Sequence, residues 1–178
     1  MIGLPIERIF KAKEGDLVAD DSSLNEGLKE EVVRILDGKL RFADAPFAQG
    51  IDWRLIRDVP PFNVAVWDAA QHFDALSSDD ARATASQTPA DFMMRHVRNA
   101  LAHGGIVYLD SQGRMGDRHA EMLGFVSARK ERNTQKIIGL HVSRVSETDF
   151  RRFLFAWADW IAASGMANEL NESPPLAA

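Results

Sequence analysis

TPADFMMRHVRNALAHGG, residues 88–105, is the stretch on which the fold reading turns. Thr88-Pro89-Ala90-Asp91 combines three helix-start signals. Threonine offers a capping hydroxyl, proline suits the first helical position where its missing N–H costs nothing, and aspartate closes a capping box. The spacing predicts a helix to His103, and Gly104-Gly105 can take the left-handed geometry that ends it. On a projection at about 100° per residue, Met93, Met94, Val97, Ala100 and Leu101 fall within an apolar arc about 120° wide. An arc of that width suits a helix in a bundle core. The remaining arc carries two arginines (Arg95 and Arg98), two histidines (His96 and His103) and Asn99. Asn99 and His103 are four residues apart and point the same way. Arg98 and His103 lie about 140° apart, so the long arginine must curl, or a second copy of the protein must bring the groups together.

Downstream of this helix, Ile106 to Asp110 reads as a strand, followed by a Ser-Gln-Gly turn. Leu123–Lys130 and Lys136–Val145 read as a hairpin around Arg132-Asn133-Thr134. Ser146-Glu147-Thr148-Asp149 is another capping box, and its helix places Phe150, Phe153, Leu154, Trp157 and Ile161 on one face. Gly165 ends that helix, and residues 166–178 read as a disordered tail. Upstream, Ser23-Leu24-Asn25-Glu26 starts a helix with Leu24, Leu28, Val32, Ile35 and Leu36 on one side. Residues 1–22 are ambiguous. Pro46, Gly50 and Pro60-Pro61 break residues 42–62 into irregular chain, with a short helix expected at Asp52–Arg57. Asn63 can cap a further helix with Val66, Ala69, Ala70, Phe73 and Leu76 as its apolar stripe. Residues 77–87 are a loop or a short helix.

The chain has 178 residues, 46% of them hydrophobic and 26% charged, with no cysteine. That length suits one domain able to fold without disulfide or metal. The missing cysteine removes thiolate catalysis and thiolate zinc sites. No apolar run is long enough for a transmembrane helix and no signal-peptide pattern opens the chain, so a cytoplasmic protein with no membrane partner is expected. The net charge of −5 argues against coating nucleic acid through bulk charge. Charge is uneven, however. Residues 1–90 hold 10 basic and 16 acidic side chains, whereas residues 91–152 hold 11 and 7, which leaves room for a local phosphate site.

The string Arg98-Asn99-Ala100-Leu101-Ala102-His103-Gly104-Gly105-Ile106 resembles the Arg-x4-His motif of the HEPN superfamily, the higher eukaryotes and prokaryotes nucleotide-binding domains. In that family too, a polar residue often follows the arginine and the motif lies toward the end of a long helix. The resemblance covers about residues 90–110 as sequence and about 24–165 as architecture. It implies a mainly α fold: a HEPN-like helical bundle with a small β-hairpin or sheet insertion before the last helix, residues 1–165 forming a single domain. It implies a metal-independent endoribonuclease, a toxin or defence effector, that acts on RNA as a homodimer with its two motifs facing each other. An antitoxin protein is a further partner it suggests. Some antitoxin-regulated members carry a tyrosine two positions after the histidine, to which AMP is attached; this chain has Gly105 there, so that control is not expected.

The residues fit such chemistry on their own terms. Metal-free RNA cleavage needs a base for the ribose 2′-OH proton, a cation on the phosphate and an acid for the leaving oxygen. His103 suits base or acid work. Arg98 can hold phosphate oxygens bidentately. Asn99 can orient His103 or bind substrate. These three are the candidate catalytic residues; Arg95 and His96, on the same arc, are candidate substrate-binding residues. His72 reads as a packed or partly exposed helix residue, and His119 and His141 as surface residues. No metal-ligand spacing, glycine-rich phosphate loop or nucleophile elbow occurs, so no metal or cofactor is expected. The aromatic stripe ending in Trp157 and Trp160 reads as core or dimer surface. Two alternatives stand beside this reading. In one, Arg98 pairs with Asp91 on a solvated face and His103 is only a helix cap. In the other, the chain is a non-catalytic HEPN module for RNA or nucleotide binding or for dimerisation.

Overall fold

The computed structural model describes residues 38–63, 69–115, 119–131 and 133–163. In chain order they form a short 3-10 turn (Phe42–Asp44), β1 (Arg54–Val59), α1 (Ala69–Ser77), α2 (Asp79–Gln87), α3 (Ala90–Ala102), β2 (Ile106–Leu109), β3 (Met122–Lys130), β4 (Ile137–Ser146) and α4 (Glu147–Ala163). The expected N-terminal helix after Ser23 and the C-terminal tail lie outside the described residues. Among the described residues, no helix is long and apolar enough to cross a membrane.

The scaffold is a four-stranded sheet in the order β1-β4-β3-β2, with every neighbouring pair antiparallel. Side chains alternate across it, and both faces are covered. Leu55, Phe125 and Val145 point to one face and join a core with Met93 and Val97 of α3 and Phe153 and Trp157 of α4. Val107, Leu109, Val126, Leu140 and Val142 point to the other and pack with Leu76 of α1.

This overturns the expected mainly α bundle with a small β insertion. The hairpin at 122–146 is where expected, and so is the strand at 106–109, but they are the middle and edge of a larger sheet rather than an insertion. The deciding element is β1. The segment expected as a short helix at Asp52–Arg57 is instead extended, with Leu55 opposite Ser143 and Ile56 opposite Val142. Nor do α3 and α4 pack on each other as bundle helices. Helix α3 lies on β3, and α4 lies against β3 and β4. A helix stripe does not say whether its partner is another helix or a sheet, and here it is the sheet.

Several local signals are met by different partners from those expected. Ser78 caps α2, its Oγ accepting from the Ala81 N–H at 3.2 Å. Thr88 does not cap α3. Its hydroxyl donates to the Thr84 carbonyl at 2.6 Å and closes α2. Pro89 takes the cap position of α3, and the Ala90 N–H donates to the Leu40 carbonyl at 2.8 Å. Ser146 does cap α4, accepting from the Asp149 N–H at 3.0 Å. The irregular segment 42–53 sends Phe42, Phe47 and Trp53 into the core, and Phe47 stacks edge-on to Trp157 with ring centroids 4.6 Å apart. Arg54 donates to the Ser77 carbonyl at 2.8 Å, placing a cation at the C-terminal end of α1, where the helix dipole favours it.

Candidate functional site

The end of α3 is built by two glycines doing different work. Gly104 has φ +70°, and the Gly105 N–H donates to the Ala100 carbonyl at 2.8 Å, the six-to-one bond of a Schellman close. Gly105 is held by crowding rather than by dihedral. A Cβ there would sit 2.1 Å from the Val126 carbonyl oxygen, while the Gly105 carbonyl accepts from the Val126 N–H at 2.7 Å. The helix end is thus pressed onto β3, and a side chain at 105 does not fit.

That close leaves His103 exposed at the C-cap, its N–H donating to the Asn99 carbonyl at 3.1 Å. One turn back, the Asn99 side-chain oxygen accepts from Arg98 Nη1 at 3.4 Å. Both Arg98 and Asn99 are half-buried. Asn99 is therefore bonded to both other members, through its backbone carbonyl to His103 and through its side-chain oxygen to Arg98. Arg95 is exposed and its guanidinium bonds Asp91 at 2.7 Å, with Asp91 buried. Asp91 is thus engaged by Arg95. Arg98, Asn99 and His103 form the candidate site, and Arg95 stands on its flank.

His96 does not belong to it. The projection placed it beside His103, but it is 2% exposed, because the sheet covers about 40° more of α3 than the apolar arc alone indicates. Its Nδ1 lies 2.7 Å from Ser127 Oγ and its Nε2 lies 2.8 Å from Ser143 Oγ. A neutral imidazole donates from one nitrogen and accepts at the other, so two hydroxyls satisfy it fully. Burial, and secondarily His141, push its pKa down to about 3. Leu101 is displaced in the opposite sense. It was expected in the core and is 37% exposed, in the last turn of α3.

The other histidines complete the picture. His141, expected on the surface, is buried on the same face as His96, its ring 5.0 Å from Phe92 and 6.4 Å from His96. Its Nδ1 accepts from the Asp58 N–H at 3.4 Å. Burial lowers its pKa, with Asp58 opposing and Arg57 and Arg129 assisting. Asp58 is itself ion-paired with Arg129, whose hydrogen bond holds the carboxyl below its usual range. His72 is buried and stacks on Phe62 with ring centroids 4.1 Å apart, and His119 is exposed as expected. Among the described residues, no cluster of His, Asp or Glu is arranged to hold a metal ion. The polar row of Ser127, Ser143 and His141 was not anticipated as one unit. Its signal was the strand alternation: these residues occupy the positions that face α3, where a polar group requires a partner.

No family model, curated protein or solved structure matches the chain.

Proposed function

We propose that the chain is a metal-independent endoribonuclease whose reacting groups are His103 and Arg98, positioned by Asn99. The observation that carries the proposal is the helix end itself: a glycine-fixed close that holds an exposed histidine one turn from an arginine–asparagine pair. The likeness to the HEPN superfamily supports the reading through this helix and its glycines alone, since the scaffold beneath them is a sheet with helices on it.

In this reading His103 takes the proton of a ribose 2′-OH. The 2′-oxygen attacks the adjacent phosphorus, the bond from phosphorus to the 5′-oxygen breaks, and a 2′,3′-cyclic phosphate forms. Water protonates the departing 5′-oxygen, and the exposed imidazolium returns its proton to solvent. Arg98 holds the phosphate oxygens and stabilises the charge that grows on them. Asn99 fixes the arginine, and Arg95 adds positive charge along the approach to the site. A toxin or defence effector of this kind arrests growth when expressed, and His103→Ala relieves the arrest.

A second reading, a non-catalytic module that binds RNA, is favoured by one observation. With His96 sealed in the core, His103 is the one histidine left exposed on α3, so no second imidazole of the helix is available as acid. Labelled RNA separates the readings: cleavage to a cyclic phosphate supports the nuclease, and binding without cleavage supports the module.

A further inference from the structure

The two edges of the sheet are finished differently. The β1 edge is guarded in the ways that prevent strand-to-strand association. It carries Arg57 and Asp58, its register shifts between Ile56 and Val59, Asp58 has φ +58°, and Pro60-Pro61 follows. The β2 edge has none of these. Its sequence is Ile106-Val107-Tyr108-Leu109, with no charge, proline or bulge. Tyr108 is 65% exposed.

The hydrogen bonding shows which backbone groups face outward. The Gly105 carbonyl accepts from the Val126 N–H and the Leu109 carbonyl from the Glu121 N–H, so the odd-numbered residues turn their polar groups toward β3. Backbone groups alternate along a strand, so Ile106 and Tyr108 direct theirs away from the sheet. Among the described residues, nothing pairs with them. Two outward-facing residues flanking Val107 make this edge self-complementary. A two-fold axis at Val107 sets Ile106 opposite Tyr108 of a second copy, and Tyr108 opposite its Ile106. Each pair exchanges two backbone hydrogen bonds, and a β-branched side chain meets an aromatic one on the face that carries α3 and α4.

We propose that the outer edge of β2 is the seat of a second copy of this chain, joined antiparallel through β2 to form an eight-stranded sheet. The identical-patch geometry is what a two-fold interface requires. Such a dimer does not depend on the nuclease reading, but it fixes where the two motif ends lie. In an antiparallel join the start of one β2 lies beside the end of the other. Each motif end therefore neighbours the turn at Asp110–Gly113 of the other copy, and the two His103 side chains do not meet at the axis. Each His103 is four residues from Val107, a distance of at most ~13 Å along the chain.

Light scattering on the full chain at micromolar concentration tests the assembly, and a cross-link tests the register. The chain has no cysteine, so a single introduced thiol reports alone. Val107→Cys brings two thiols to the axis and should give an oxidised dimer on a non-reducing gel. Ser111→Cys puts them at opposite ends and should stay monomeric on the same gel. Tyr108→Pro removes an outward N–H while leaving the β3 ladder intact, and should give a monomer with unchanged circular dichroism. A monomeric wild type, a dimer in which Val107→Cys does not cross-link, or a Tyr108→Pro variant that remains dimeric overturns the proposal.

Discussion

His103, Arg98 and Gly105 belong to one short string, yet substitution should affect them in different ways. His103 is exposed and Arg98 half-buried beside Asn99, so changing either leaves the core intact. Arg98→Ala should remove about 3 kcal/mol of transition-state stabilisation, roughly a hundredfold in rate, and Arg98→Lys should recover little because lysine lacks the planar fork. His103→Ala should be at least as severe and Asn99→Ala milder, with thermal melting little changed in all four. Gly105→Ala is the converse case. Its Cβ would meet the Val126 carbonyl at 2.1 Å, and neither backbone can yield without disturbing the β2–β3 ladder. A loss on the order of 2–3 kcal/mol in urea unfolding is expected. A melt unchanged by Gly105→Ala would refute the crowding argument. At this scale the sequence was informative about residue type and spacing. It placed the helix end and its glycines, but the reason for the second glycine lies in a strand 21 positions away in sequence.

Helix α3 as an element shows why periodicity located the helix but misassigned one face. The buried arc includes His96, which apolar counting excludes, because Ser127 and Ser143 approach from two neighbouring strands to satisfy both ring nitrogens. No pattern within residues 88–105 contains those serines. Thr88 shows the same limit: a hydroxyl between two helices can start the second or close the first, and here it closes the first. The His96 arrangement has a consequence for pH. Its folded pKa, about 3, lies below the ordinary value of 6.5, so the unfolded chain binds the extra proton as pH falls. The stability it contributes is complete above about pH 6.5 and is lost progressively on acidification, by at most about 1.4 kcal/mol per pH unit. His141, lowered in the same direction, adds a loss of the same sign. His96→Gln keeps hydrogen-bonding capacity but cannot titrate. Urea unfolding at pH 7 and pH 5 should show a smaller decline for this variant than for wild type, and equal declines would remove His96 from the account.

At the scale of the whole molecule, the elements after Gly104 were largely legible and the architecture was not. The hairpin, the strand at 106–109 and the last helix each carry an unmistakable period. Strand β1 does not: Arg54, Arg57 and Asp58 interrupt a segment of six residues, and only its pairing with β4 makes it extended. That one strand separates a sheet scaffold from a helical bundle. The scaffold in turn presents one end of α3 as an exposed surface, and the claim that this surface cuts RNA is the centre of the account. The most direct measurement uses an end-labelled RNA and its counterpart with a single 2′-deoxy sugar at the cut site, each with and without EDTA. The account predicts that the ribose substrate is cut to a 2′,3′-cyclic phosphate whether or not EDTA is present, that the deoxy substrate survives, and that His103→Ala cuts neither. Cleavage of the deoxy substrate, abolition of cutting by EDTA, or full activity in His103→Ala would contradict it and return His103 to the role of a helix cap.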